Sequence, residues 1–112
     1  MKGVIVRFDA PKVRINGAEY DVQMDQMEMH AKSRRYMAQV VNLNVHSEDA
    51  IRDCIAAGCA LVDDALGEGA MAKIAAGKPI SLNKAVQVLN AIVDAVNDAY
   101  SDYVSKTYGG GV

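Results

Sequence analysis

The chain has 112 residues, about half of them apolar, with a net charge of −2 and a pI of about 5.6. A chain of this length forms one domain with a modest core. Its basic residues are scattered, which argues against nucleic-acid binding. No apolar stretch approaches the ~20 residues that span a bilayer. No signal peptide precedes the first β-like run, so we expect a soluble, cytoplasmic protein without membrane contact.

The N-terminal region predicts short antiparallel strands. Residues 4–8 (VIVRF) form an apolar, β-branched run. Residues 12–15 and 18–22 alternate between apolar and polar side chains on either side of Asn16-Gly17, which is a strong hairpin turn signal. Two or three such strands are marginal alone, so a helix must cover them.

Two helices follow the strands. Asp25 and Glu28 fit a capping box for a helix that runs to about Val41, although its apolar residues form no single stripe. Ser47 caps the second helix, whose stripe contains Ile51, Ile55, Gly58, Cys59, Val62 and Leu66 and is widened by Cys54, Leu61 and Ala65. Gly58 in this stripe suggests close approach to another helix.

The glycine-rich stretch from Asp63 to Pro79 predicts a corner between helices. Gly67 ends the second helix, and Gly77 ends a short helix over about residues 69–76. Asp63 and Asp64 are expected to face water. Ser81 then caps a last helix of some 22 residues, whose apolar side chains recur at spacings of three and four up to Val104. The domain covers residues 1–108, and we expect the Gly-rich tail, 109–112, to be disordered.

The chemical motifs that this sequence suggests at first sight do not hold up. The glycines and lysine at 67–73 lack the spacing and the Ser or Thr of a phosphate-binding loop. Asp63, Asp64 and Glu68 do not complete a calcium loop. Cys54 and Cys59 lie about 140° apart on a helix, so a disulfide or shared zinc is not expected, and both are taken as buried, reduced thiols. His30 and His46 lack a nearby nucleophile or acid and are given surface or cap roles. We therefore expect no enzyme activity, cofactor or metal.

Methionine and tyrosine side chains are the candidates for partner binding. Flexible Met27 and Met29 suit an adaptable contact surface, although packing beneath the hairpin is an equal alternative. Tyrosines are common at interfaces, whereas core packing is the alternative for Tyr100. The candidate partner-binding residues are Met27, Met29, Tyr36, Tyr100, Tyr103 and Tyr108.

Three segments together resemble a known family. They are R-I-N-G-A-E-Y-D-V at 14–22, D-D-A-L-G-E-G at 63–69, and G-K-P-I-S-L-N-K-A at 77–85, followed by a long helix. The pattern is similar to the small tail assembly chaperones of long-tailed phages and prophages, over roughly residues 13–98. The strand at 4–8 and the tyrosine-bearing segment after Asp98 go beyond the pattern of that family.

The resemblance implies a non-enzymatic role. Such chaperones bind the tape measure protein, keep it soluble during tail assembly, help recruit tail tube subunits, and are absent from the mature virion. A frameshifted longer product is common in the family, and the glycines at 109–111 could coincide with such a site. Self-association is also expected, because the last helix offers more apolar surface than a small hairpin covers.

We therefore predict an α+β fold, with an N-terminal antiparallel hairpin or three-stranded sheet followed by about four helices, the last one long. The alternative function is another phage structural protein, such as a head–tail connector or tail-completion protein. An enzyme or small-molecule binder ranks third.

Overall fold

The computed structural model describes the backbone of residues 10–107 and the side chains of residues 10–101. Its elements are β1 (Lys12–Ile15), β2 (Ala18–Asp21), α1 (Gln26–Val41), α2 (Glu48–Leu66), α3 (Ala70–Ala75) and α4 (Leu82–Thr107). This is the predicted α+β fold, a hairpin followed by four helices with a long last helix. The sheet has two strands within the described residues, and the strand predicted at 4–8 lies outside them, as does the tail at 109–112.

The hairpin forms in the predicted register. Val13 pairs with Tyr20, and Ile15 with Ala18, across a two-residue turn. Asn16 and Gly17 both have positive φ, 52° and 83°, as a type I′ turn requires. The Asn16 side chain also donates to the carbonyl of Ile74, at 3.3 Å, so the turn is fastened to α3.

Side-chain caps begin three of the four helices, as predicted. The Asp25 carboxylate accepts from the Glu28 amide at 2.7 Å, and the Ser47 and Ser81 hydroxyls each accept an amide at 3.2 Å. The reciprocal half of the predicted capping box is not made, because the Glu28 carboxylate lies 3.6 Å from Lys32. Each such cap satisfies a helix amide that has no partner within the helix.

The corner between α2 and α4 corrects two predictions. The short helix is Ala70–Ala75, and Ala76 already has a left-handed backbone before Gly77. Asp63 is half-buried, and its carboxylate accepts from the Met71 amide at 2.9 Å, so it caps α3 instead of facing water. Only Asp64 of the pair is exposed. The glycine at the start of α3 has no side chain to cap it, which is why a residue from α2 performs that role.

The core lies between the hairpin and the four helices. Its most deeply buried large side chains are Met29, Met71, Ile92, Val62 and Cys54. The buried face of α2 is centred on Cys54, Gly58, Leu61 and Ala65, while Ile51 and Ile55 at the predicted centre are half-buried. No charged side chain is buried among the described residues. Within that part of the chain, no helix is long and apolar enough to cross a membrane.

Gly58 has the close packing that its position in α2 predicts. A Cβ atom there would lie 2.5 Å from the hydroxyl oxygen of Tyr36 and 3.0 Å from Cβ of Ala85. The first atom belongs to α1 and the second to α4, so the absent side chain lets both helices approach α2 at one point. The packing gained offsets the ~1 kcal/mol that glycine costs inside a helix.

Candidate interaction surface

Two of the six predicted partner-binding residues lie in the core. Met29 is completely buried, and Tyr36 is 4% exposed. The Tyr36 hydroxyl donates to the carbonyl oxygen of Cys54 at 2.9 Å, which fastens α1 to α2. Neither side chain offers surface to a partner in this structure, which corrects their assignment. For Met29 the core-packing alternative holds, because this residue is one of the most deeply buried side chains of the core.

Two others are exposed and lie at the same end of the molecule. Met27 is 83% exposed at the start of α1, and Tyr100 is 54% exposed on α4. Core packing, the alternative for Tyr100, does not occur. The side chain of Tyr103 and all of Tyr108 lie outside the described residues, although the backbone of Tyr103 belongs to α4.

A polar junction between α1 and α4 lies close in sequence to both exposed residues. His30 Nε2 lies 2.8 Å from the side-chain oxygen of Asn97, and the Gln26 side-chain amide donates to the same oxygen at 3.4 Å. Met27 adjoins Gln26 in sequence, and Tyr100 follows Asn97 by three residues, which is less than one helical turn. Each exposed residue therefore lies within one turn of the junction along its own helix.

The junction also revises the role predicted for His30. Its ring is half-buried and hydrogen-bonded across a helix interface, with Nε2 donating because the Asn97 oxygen is an acceptor. Ser33, one turn later on α1, has a buried hydroxyl without a hydrogen-bond partner among the described residues. No local motif could reveal this pairing, because His30 and Asn97 are 67 positions apart.

The two predicted helix-ending glycines occupy turns. Gly67 is the C-cap of α2, with φ 116°, and its amide donates to the Asp63 carbonyl at 2.7 Å. Gly77 has φ 78° and follows the left-handed Ala76 at the end of α3. The corner is held from the hairpin side by Gln23, whose backbone amide donates to the carbonyl of Ala65 at 2.7 Å. The stretch thus sets the direction in which α4 leaves the corner.

Two titratable groups, Tyr36 and Cys59, are shifted toward their neutral forms. Burial, followed by the hydrogen bond with Cys54 and the nearby Cys54 and Cys59 thiols, raises the pKa of Tyr36 well above its usual range. Burial, and then the charge of Asp63, raises the pKa of Cys59. Both shifts disfavour the nucleophilic thiolate and phenolate forms at neutral pH. Cys54 is buried and Cys59 is half-buried, and neither forms a disulfide.

A metal centre does not emerge within the part of the chain that the structure describes. Among those residues, no three or more His, Cys, Asp and Glu side chains come together in an arrangement that could hold an ion. The nearest approach in sequence, Asp63, Asp64 and Glu68, is divided by the fold. Asp63 turns inward to cap α3, while the other two side chains are exposed.

The described surface therefore offers exposed apolar side chains at Met27 and Tyr100. Comparison of the chain with protein-family models, with curated proteins and with solved structures gives no significant match.

Proposed function

We propose that the protein is a non-enzymatic tail assembly chaperone of a long-tailed phage or prophage, and that it binds the tape measure protein and keeps it soluble. The resemblance of the 14–22, 63–69 and 77–85 segments to that family supports the proposal. The structural observation that carries it is the exposure of Met27 and Tyr100 beside the α1–α4 junction. We name these two residues the junction surface.

The junction surface has the chemistry of a site for an amphipathic helix. Methionine adapts its shape to different apolar partners, and tyrosine adds a rigid ring with a polar end. A helix-binding surface needs apolar contacts on a fixed backbone, and both α1 and α4 are anchored to the core next to these residues. Met29, which is completely buried, anchors α1 two residues after Met27, and Val96, which is 3% exposed, anchors α4 one turn before Tyr100.

The length of α4 extends the same surface. Helix α4 continues to Thr107, eleven residues after Val96, which at 1.5 Å per residue is roughly 16 Å of helix. Val96 is the last buried residue among the described side chains.

The proposal includes a cytoplasmic site of action and absence from the finished virion. A tail tube protein is a further proposed partner, and a second copy of the chain could cover the junction surface when no partner is bound. The alternative, a structural component such as a head–tail connector or tail-completion protein, predicts instead that the protein stays in the particle.

The test is co-expression with the tape measure protein encoded beside this chain. The wild-type protein is expected to keep that protein in the soluble fraction and to elute with it. The double substitution Met27→Glu and Tyr100→Glu should reduce the recovered complex, because it places charge in the apolar contact. Val41→Glu is the matched control, since Val41 is 78% exposed at the other end of α1.

Three results would contradict the proposal. The first is a tape measure protein that remains insoluble without forming a complex. The second is an equal loss of complex in the Val41→Glu control, which would show that the junction surface is not the site. The third is recovery of the protein from purified mature particles, which would favour the structural alternative. Thermal denaturation of each variant distinguishes lost binding from lost folding.

A further inference from the structure

A second surface, distinct from the junction surface, lies between the hairpin and α4. An open groove of about 510 Å³ is bounded by the end of β1 and its turn, by the end of α3, and by the first half of α4. A shallower continuation of about 400 Å³ follows β1 and α4 toward Ala99. Both parts are lined by Arg14 and Ala91, so they form one trough, which we call the strand–helix groove.

The groove lies along the edge of β1 that faces away from β2. Residues 12–16 line it on one side and α4 residues from Lys84 to Ala99 on the other, whereas no β2 residue lines either part. Among the described residues, β1 pairs only with β2. A strand edge beside a helix is the arrangement in which an extended peptide can add a strand and place alternate side chains against the helix.

The floor of the groove is apolar and firmly held. Ile15, Ile74, Val88 and Ala91 contribute to it, and Val88 and Ile74 belong to the core. The bond from the Asn16 side chain to the Ile74 carbonyl fixes the hairpin turn against α3. Small alanines at 91, 95 and 99 recur every fourth residue along α4, so they leave room for the side chains of an occupant.

The two ends of the groove differ in charge, because carboxylates line only the far part. Arg14, Lys78 and Lys84 line the first part, which has no carboxylate among its lining residues. None of the three forms an ion pair within the described residues, and Glu19, opposite Arg14 in the hairpin, is bonded to Lys12 at 3.4 Å. Asp94 and Asp98 line the far part together with Arg14, which both parts share, and with Lys12, which is bonded to Glu19. The end of the groove with Lys78 and Lys84 is therefore locally basic, although the chain as a whole has a net charge of −2.

We propose that the strand–helix groove binds an extended peptide segment of a partner protein, with acidic side chains at the Lys78–Lys84 end, apolar side chains in the middle and a basic side chain at the Asp94–Asp98 end. Lys84 and Ala99 are 15 positions apart on α4, which is roughly 22 Å and matches about seven residues of extended chain. The first nine residues of the chain itself carry Lys2 and Arg7 against Asp9, so they do not supply the acidic end.

The test measures fluorescence anisotropy of a labelled peptide with the full-length protein. The probe is Glu-Asp-Val-Leu-Val-Lys-Lys, and the same residues in reverse order test the chain direction. The variant Lys78→Glu/Lys84→Glu should weaken binding about tenfold or more, because it replaces attraction by repulsion at two positions. Arg34→Glu/Arg35→Glu is the matched control, with two exposed cations on α1 reversed and an expected change below about twofold.

A second peptide, in which lysines replace the Glu and Asp of the probe, completes the experiment. It should bind the Lys78→Glu/Lys84→Glu variant more tightly than the wild type, a reversal that misfolding cannot produce. Equal losses in the groove variant and the α1 control would overturn the proposal in favour of nonspecific attraction. Binding that appears only after residues 1–9 are deleted would overturn it in favour of the chain's own N-terminal segment. The proposal would also be overturned if neither the probe nor its reversed sequence bound to the full-length protein or to the protein without residues 1–9. These results are independent of the co-expression test, because the groove does not include Met27 or Tyr100.

Discussion

Replacement of Gly58 by alanine is expected to destabilise the protein, although alanine is the better helix former. The added methyl group would lie 2.5 Å from the Tyr36 hydroxyl oxygen, 2.9 Å from Cζ of that ring and 3.0 Å from Cβ of Ala85. Real Cβ atoms do not come this close to other heavy atoms, so the Tyr36 ring must move. Its movement breaks the hydrogen bond to the Cys54 carbonyl, which is 2.9 Å long and buried.

The expected magnitude follows from three opposing contributions. Overpacking a tight interior costs about 2 kcal/mol, within a usual range of roughly 1–3. Loss of the Tyr36 hydrogen bond adds about 1 kcal/mol. Removal of a glycine from a helix interior returns about 1 kcal/mol. The free energy of unfolding should therefore fall by about 2 kcal/mol, which for a chain of this size lowers Tm by roughly 8 °C.

Chemical denaturation and calorimetry of three variants separate these contributions. Tyr36→Phe alone should cost about 1 kcal/mol, and in that background Gly58→Ala should become cheaper, because the nearest clashing atom has gone. Ala60→Gly, at an exposed position of α2, measures the helix propensity term by itself. If Gly58→Ala stabilised the protein by the propensity term, the close contact with Tyr36 would be refuted.

Other predictions concern the corner and the interior titratable groups. Asp63→Ala should lower the free energy of unfolding by about 1 kcal/mol through loss of the bond to the Met71 amide, whereas Asp64→Ala should stay within about 0.5 kcal/mol; equal effects in urea denaturation would contradict the cap. The raised pKa of Tyr36 means that the folded state holds its proton longer than the unfolded state, so its contribution is complete below pH ~10 and falls as pH rises further. Absorbance at alkaline pH should show Tyr36 ionising at a higher pH in the folded protein than in the protein unfolded in urea, and ionisation at the same pH would be inconsistent with burial. Cys59, whose pKa burial and Asp63 raise, should react with iodoacetamide more slowly in the folded protein than in urea, and equal rates would argue against the shift.

The elements that sequence patterns predicted well are those whose cause is local. Asn16-Gly17 fixes the hairpin register because both residues accept positive φ, and Ser47 and Ser81 cap the helices that begin next to them. The long stripe of α4 is likewise a property of consecutive turns. In each case, the residues that determine the structure lie within a few positions of the structure itself.

The elements that were predicted wrongly depend on contacts between distant segments. Asp63 looks like a solvated acid at a helix end, and only the return of the chain through Gly69 brings the Met71 amide to it. Met29 and Tyr36 lie seven residues apart on one face of α1, and they are buried because this helix packs against both α2 and α4. The cations of the strand–helix groove come from β1, the α3–α4 connection and α4, so no local pattern marks them.

Helix α4 links the two proposed surfaces through its packing. Its buried face, which includes Ala85, Leu89 and Ile92, is fixed against the core, and Ala85 approaches α2 at Gly58. The same helix carries one wall of the strand–helix groove, from Lys84 to Ala99, and directly after it Tyr100 of the junction surface. Because α1 is held to α2 by Tyr36 at the same contact, a change at Gly58 displaces the helix that carries Met27. The spacing of the two surfaces therefore depends on Gly58, which belongs to neither of them. A substitution at Gly58 can change this spacing without changing any side chain of either surface.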